Sequence, residues 1–230
     1  MKKEFKTNVA HFNTETGDKI LYPFGPPIFQ SEVDQTFVKK LLDEGQKLNI
    51  KENDHNFRLA GQHKYGRSYA YTEEFENQVE PYLIKYVERF FNGMMDMFGE
   101  RCDMPQNVMT RFYNKRDYRV GKLKLDTLWI NYSQKHDFNP PHTHIGELSF
   151  IIYCKVPEEI FSVQADSNTQ RAGQVHFNYG EQASPMIGAE FPIRPYENLM
   201  LIFPSKLRHH VPAYWVDAER ISVSGNFIVV

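Results

Sequence analysis

Two imidazoles stand two residues apart in Pro140-Pro141-His142-Thr143-His144-Ile145-Gly146, and no other stretch of the chain is as well suited to metal chemistry. In extended backbone, residues i and i+2 project to the same face. His142 and His144 can therefore address one cation as the chain enters the apolar run Leu148 to Val156. A third ligand is available at His209, within Phe203-Pro204-Ser205-Lys206-Leu207-Arg208-His209-His210-Val211. Eleven residues further on, Arg220 opens the alternating segment Arg220 to Phe227, where a strand would set a guanidinium inside a pocket. That group is always charged and binds a carboxylate bidentately.

In order and spacing these residues resemble the 2-oxoglutarate and iron(II)-dependent oxygenases, specifically the prolyl-4-hydroxylase-like branch found in bacteriophage genomes. The resemblance is carried by Trp129-Ile130-Asn131, His142-Thr143-His144, Ser149-Phe150-Ile151-Ile152-Tyr153, Phe203-Pro204-Ser205, His209 and Arg220 to Phe227. Tyr22-Pro23-Phe24-Gly25-Pro26-Pro27-Ile28 and Leu59-Ala60-Gly61 add weaker signals. It implies iron(II) on His142, His144 and His209, with Arg220 holding the far carboxylate of 2-oxoglutarate. The implied reaction couples oxidative decarboxylation of 2-oxoglutarate, which yields succinate and carbon dioxide, to hydroxylation of a prolyl or other peptide side chain, or of a small molecule, by dioxygen. Asn131 and Tyr153 are polar groups placed to hydrogen-bond the cosubstrate, and Ser222 would share the face of Arg220 and add a hydroxyl donor.

His144 departs from the family pattern, because it stands where a carboxylate completes the usual two-histidine, one-carboxylate triad. Exchanging a carboxylate for a neutral imidazole leaves the bound cation with one more unit of uncompensated positive charge. Three readings follow, in this order of preference. His144 is itself a ligand of an all-histidine site. The pair is shifted, so that His144 is the first ligand and Gly146 leaves a vacancy for chloride or water. Glu147 swings in from a less suitable side of the strand. Two further functions stay open: a jelly-roll binding or virion-associated module that has lost catalysis, and a cupin-like oxygenase using three histidines without 2-oxoglutarate. A helix-borne ligand pair with a nearby general base, which would favour zinc hydrolysis, is not seen.

The remaining candidates have plainer readings. His210 would face away from His209 on a strand, His136 and His176 read as structural or substrate-facing, and aromatic residues such as Trp129 most often pack in cores. Arg111 to Lys124 gathers basic residues at no single period and includes Asp117, as a solvated hairpin does. With a net charge of −2, a broad nucleic-acid surface is not expected. Only Cys102 and Cys154 are present, so a disulfide framework is not expected and a reducing, cytoplasmic location fits, in a host cell if the protein is phage-encoded. Neither a signal peptide nor an apolar run long enough for a bilayer is seen, so no membrane partner is expected.

Positioning such a site needs a sheet scaffold. The charged fraction of 24% and apolar fraction of 41% over 230 residues describe one ordinary domain. Residues 1 to 30 read as turn-rich and irregular, and residues 49 to 72 as loop. A helix begins near Val33 with Ser31 as a possible cap, and a second runs from about Glu73 to Phe98 with Val79, Leu83, Tyr86, Val87, Phe90 and Phe91 on one stripe. Strands are expected at Leu123 to Tyr132, Leu148 to Val156, Gly173 to Asn178, Asn198 to Phe203, His209 to Tyr214 and Ile221 to Val229, with a loop at Glu181 to Pro195 near substrate. The class is α+β: a single domain, 1–230, in which a helical and irregular support (1–105) buttresses a double-stranded β-helix, or jelly roll (106–230).

Overall fold

A computed structural model describes residues 11–21, 25–48, 55–56, 60–61, 65–98, 123–161, 171–180 and 189–230. Its strands are β1 (His11–Asn13), β2 (Lys19–Leu21), β3 (Ile28–Glu32), β4 (Arg67–Ala70), β5 (Leu123–Ser133), β6 (Asn139–His142), β7 (Leu148–Lys155), β8 (Val175–Asn178), β9 (Glu190–Ile193), β10 (Leu199–Pro204), β11 (Arg208–Val211) and β12 (Arg220–Val229). Helix α1 spans Gln35–Lys47 and α2 spans Glu73–Phe98. An eight-stranded sheet in the order β1-β2-β3-β10-β7-β12-β5-β4 faces a four-stranded sheet in the order β6-β11-β8-β9, every recorded pairing being antiparallel. This is the expected jelly roll backed by helices.

Alternation along the strands builds two apolar layers. On β12, Ile221, Val223 and Phe227 join Phe150 and Ile152 of β7 and Met200 and Ile202 of β10 under the helices. On the opposite faces, Tyr153, Leu199, Leu201 and Phe203 meet Val175, Phe177 and Val211 of the smaller sheet. The α2 stripe read from the sequence is buried on the larger sheet, with Phe75 and Met94 extending it. Gly45 lets α1 approach closely: a Cβ there would lie 2.4 Å from Ile130 Cδ1.

The N-terminal part departs from expectation, since it adds four strands to the larger sheet. Asp34 rather than Ser31 caps α1, accepting from the Thr36 amide at 2.8 Å, while Ser31 belongs to β3 and donates to buried Asp18. Residues 67–70, expected as loop, pair with β5 as an edge strand. Strands β6 and β9, also unexpected, carry Pro140, Pro141 and Pro192 and lie at the two edges of the smaller sheet, where a missing amide donor is tolerated. The Arg111 to Lys122 stretch, Cys102, residues 181–188 of the 181 to 195 loop, and Tyr22, Pro23, Phe24 and Leu59 of the weak N-terminal segments fall outside the described residues.

Candidate metal centre

Strand pairing brings the distant histidines together. His142 ends β6 directly across from His209 of β11, and the ring centroids lie 4.3 Å apart. The chain then leaves the strand, but His144 is pinned to the turn after β10, its amide donating to Ser205 O at 2.9 Å. One nitrogen from each of the three rings falls within 4.8 Å of the others. His142 and His144 thus address one point, although a turn separates them from β7 rather than the pair leading straight into it.

Backbone carbonyls fix two of the tautomers. His142 Nδ1 donates to Pro140 O at 2.7 Å and His209 Nδ1 to Leu207 O at 3.0 Å. A carbonyl can only accept, so the Nε2 atom of each neutral ring keeps its lone pair. His144 Nε2 lies 3.2 Å from His209 Nε2. Burial pushes all three pKa values down: His142 below the usual range, His144 to about 4 with His142 adding to the effect, and His209 well below with both neighbours contributing. At neutral pH the trio is therefore unprotonated, the state that ligates a metal.

The alternative ligands are placed elsewhere. A Cβ on Gly146, which has φ +107°, would sit 2.8 Å from Phe227 O, so a side chain at this position would run into the β12 backbone. Glu147 is exposed, and its backbone bridges Phe227 and Ser205.

The imidazoles open on a cavity of about 450 Å³ between the sheets, lined among others by His55, Asp126, Trp129, Asn131, Asn139, Phe203, Ser224 and Asn226. Its lining includes Ser149, Asn226 and Thr127, polar groups that the sequence reading did not assign to the site: Ser149 bonds to Asn226 at 2.7 Å and Asn226 to Thr127 at 3.0 Å, and Ser205 behind them bonds to Ser149 at 2.9 Å. The signal was present, because Ser222, Ser224 and Asn226 alternate with the apolar residues of β12. Trp129 packs between His55 and His144, at centroid distances of 5.5 and 5.8 Å. Asp126 is the one carboxylate among the described lining residues. It has no partner in the β5–β12 register, where Asn226 pairs with Thr127 and Phe227 with Leu125. Such a bulge re-aims a side chain, and bulges are common beside active sites.

Of the residues expected at the cosubstrate, Asn131 lines this cavity, accepting from Ser68 Oγ at 2.7 Å and donating to Ser224 Oγ at 3.5 Å. Arg220, Ser222 and Tyr153 do not line it; they are buried, Arg220 and Ser222 on the same inward face of β12 as Ser224. Arg220 donates from Nη1 to Gly173 O at 2.7 Å and from Nη2 to Ser133 Oγ at 3.4 Å. Its Nε is buried without a partner, and among the described residues no carboxylate pairs with it. Burial pushes the Tyr153 hydroxyl up to about 12, opposed by the nearby Arg220 charge. A buried guanidinium with an unused donor fits the carboxylate of a keto acid.

Residues 127–226 match the family described as "Putative 2OG-Fe(II) oxygenase". No curated protein sequence matches the chain. Among solved structures, the chain is similar to a prolyl-4-hydroxylase of Pseudomonas putida, at TM-score 0.50 and 12% identity over 88% of this chain and 92% of that one. It is also similar to an oxidoreductase of the 2OG-Fe(II) oxygenase family from Burkholderia pseudomallei, at TM-score 0.48 and 13% identity over 87% and 84% of the two chains. A viral collagen prolyl hydroxylase from Paramecium Bursaria Chlorella virus-1, in complex with 2OG, gives TM-score 0.46 and 8% identity over 88% and 96%. At 12% identity the likeness to the Pseudomonas putida enzyme speaks for a shared jelly-roll fold alone.

Proposed function

We propose that this chain, whose residues 127–226 match the 2OG-Fe(II) oxygenase family model, is a 2-oxoglutarate and Fe(II)-dependent oxygenase that holds its iron on His142, His144 and His209 and anchors its cosubstrate through Arg220. Its cofactors are Fe(II) and 2-oxoglutarate. The observation that carries the ligand assignment is the convergence of three ring nitrogens within 4.8 Å, two of them bare because backbone carbonyls take the other ring proton.

When bound, the iron and keto acid would supply the oxidising chemistry, by which 2-oxoglutarate, dioxygen and a substrate C–H bond become succinate, carbon dioxide and the C–OH of a hydroxylated product. The chain's own residues do the rest. The histidines present neutral rings toward the cavity and leave its open side for the other reactants. Arg220 offers its unused Nε–H to the far carboxylate, with Ser222 and the Tyr153 hydroxyl as further donors. Trp129 and Phe203 wall the cavity and exclude water. A prolyl or other peptide side chain as the prime substrate rests only on the likeness to the prolyl-4-hydroxylase fold. A phage-type origin and a host cytoplasmic location rest on the sequence resemblance alone.

One observation favours a second reading: among the described residues no carboxylate is part of the cluster, as in a three-histidine oxygenase that needs no keto acid. A single experiment separates the two. Anaerobic enzyme is loaded with Fe(II) and 2-oxoglutarate, exposed to dioxygen, and succinate is measured for the wild type, His142→Ala, His209→Ala and Arg220→Ala. Succinate above the enzyme-free control that disappears in the variants supports the proposal. Dioxygen uptake that ignores both 2-oxoglutarate and Arg220→Ala selects the second reading.

A further inference from the structure

A second group of ligating side chains lies on the other face of the smaller sheet. Val175, Phe177 and Val211 point into the core, so the residues between them point outward, and register sets His176 directly opposite His210. Their ring centroids are 4.7 Å apart. Glu190, at the start of β9, pairs with Asn178 and reaches both rings: its Oε1 contacts His176 Nδ1 and lies 3.9 Å from His210 Nε2. One ligand atom from each of the three falls within 4.8 Å of the others.

Hydrogen bonding leaves the His210 lone pair that faces Glu190 unused. His210 Nδ1 donates to Asn178 Oδ1 at 2.9 Å, so the Nε2 of the neutral ring is bare and faces an anionic oxygen. A cation between those atoms turns repulsion into coordination. His176 is 1% exposed, and among the described residues its Nε2 has no hydrogen-bond partner. Its Nδ1 faces Glu190 Oε1, so a cation held there takes Nδ1 as ligand and leaves the ring proton on Nε2, at the far edge of the ring. A plain His–Glu hydrogen bond leaves the bare His210 Nε2 facing Glu190 unexplained.

We propose that His176, His210 and Glu190 form a second divalent-cation site, tying β8, β9 and β11 together with water completing the shell. Two imidazoles and one carboxylate suit a borderline transition metal such as zinc, cobalt(II) or nickel(II), rather than the all-oxygen shells that calcium and magnesium prefer. Because His209 and His210 are adjacent on β11, this site and the cavity lie on opposite faces of one strand.

The test counts metal. Full-length protein is stripped with a chelator and dialysed against cobalt(II), and bound metal per chain is measured for the wild type, Glu190→Gln and His210→Ala, with thermal melting as a check on folding. The Glu190 side chain is 40% exposed, so its amide variant probes ligation with little effect on the core. Two equivalents in the wild type and one in each variant are expected. One equivalent in the wild type and none in either variant would support this site and sink the three-histidine centre instead. Equal stoichiometry in wild type and both variants, or no metal in the wild type, would overturn it.

Discussion

Replacing Arg220 with Met separates a cosubstrate anchor from a structural cation, because the two roles shift stability and affinity in different directions. In the 2-oxoglutarate-free enzyme the guanidinium is buried and, among the described residues, bonded only to the neutral Gly173 carbonyl and Ser133 hydroxyl, with Nε unused. Exchanging a buried charge that lacks a counter-ion for an apolar side chain of similar volume is typically neutral or stabilising. The free variant should therefore melt within about 4 °C of the wild type, roughly the effect of 1 kcal/mol in a chain of this size. Cosubstrate affinity should move far more. Hydrogen bonds to a charged group contribute about 1.5–3 kcal/mol, so their loss weakens 2-oxoglutarate binding roughly 10- to 100-fold. At a concentration 100 times the wild-type Kd, ligand stabilises the wild type by about 2.7 kcal/mol, or roughly 5–10 °C. A variant weakened about 100-fold gains only about 0.4 kcal/mol, roughly 1 °C. Anaerobic thermal melts with and without 2-oxoglutarate, at fixed metal, read both numbers. A variant that loses more than about 2 kcal/mol when free, yet keeps the full 2-oxoglutarate shift, refutes the reasoning and makes Arg220 part of the scaffold.

Three further outcomes are expected. His144→Asp, which restores the usual carboxylate, should keep succinate formation and tighten Fe(II) binding, whereas His144→Ala should lose both; an alanine variant with wild-type iron affinity removes His144 from the ligand set. Gly225→Ala should cost about 1–3 kcal/mol by overpacking, since its Cβ would lie 2.6 Å from both the Phe150 ring and the backbone oxygen of Thr127, and a wild-type melting temperature would contradict this. Glu76, raised by burial from 4.5 to about 7 while accepting from the Leu128 amide at 2.8 Å, holds its proton more tightly folded than unfolded. Stability contributed by that proton is full below pH 4.5 and is lost as pH rises through about 7. Glu76→Gln keeps an acceptor for Leu128, so it should stabilise the protein at pH 8 by about 1 kcal/mol, after discounting for a half-exposed carboxyl. The difference should vanish below pH 4.5, and a pH-independent difference in urea unfolding would refute it.

The elements legible in advance are those whose pattern repeats. The α2 stripe from Val79 to Phe91 and the alternation of β12 are periodic over enough residues to fix both element type and buried face. Short edge strands gave no such signal. β6 and β9 carry prolines that argue against a strand in general and are compatible with one only at an edge, which is a fact about neighbours. The Ser31 reading failed for a related reason: a serine before an apolar run can cap a helix or end a strand, and pairing with Met200 decides for the strand.

By itself the sequence determined which residue types were available: two histidines that an extended chain presents together, a distal histidine, and an arginine at the head of an alternating strand. Those are local properties of backbone geometry and side-chain chemistry. The tertiary structure decided where they meet. The β6–β11 register sets His142 across from His209, and the Pro140 and Leu207 carbonyls orient their rings. The unpaired Asp126 shifts the alternation of β5, so that Leu125 and Leu128 face the helices while Thr127 and Trp129 face the cavity. It also decided that Arg220 is buried outside the cavity lining, with one donor unused. Contacts of this kind join residues far apart in the chain. They are fixed by strand pairing and by which groups burial leaves unsatisfied, and spacing along the sequence carries neither.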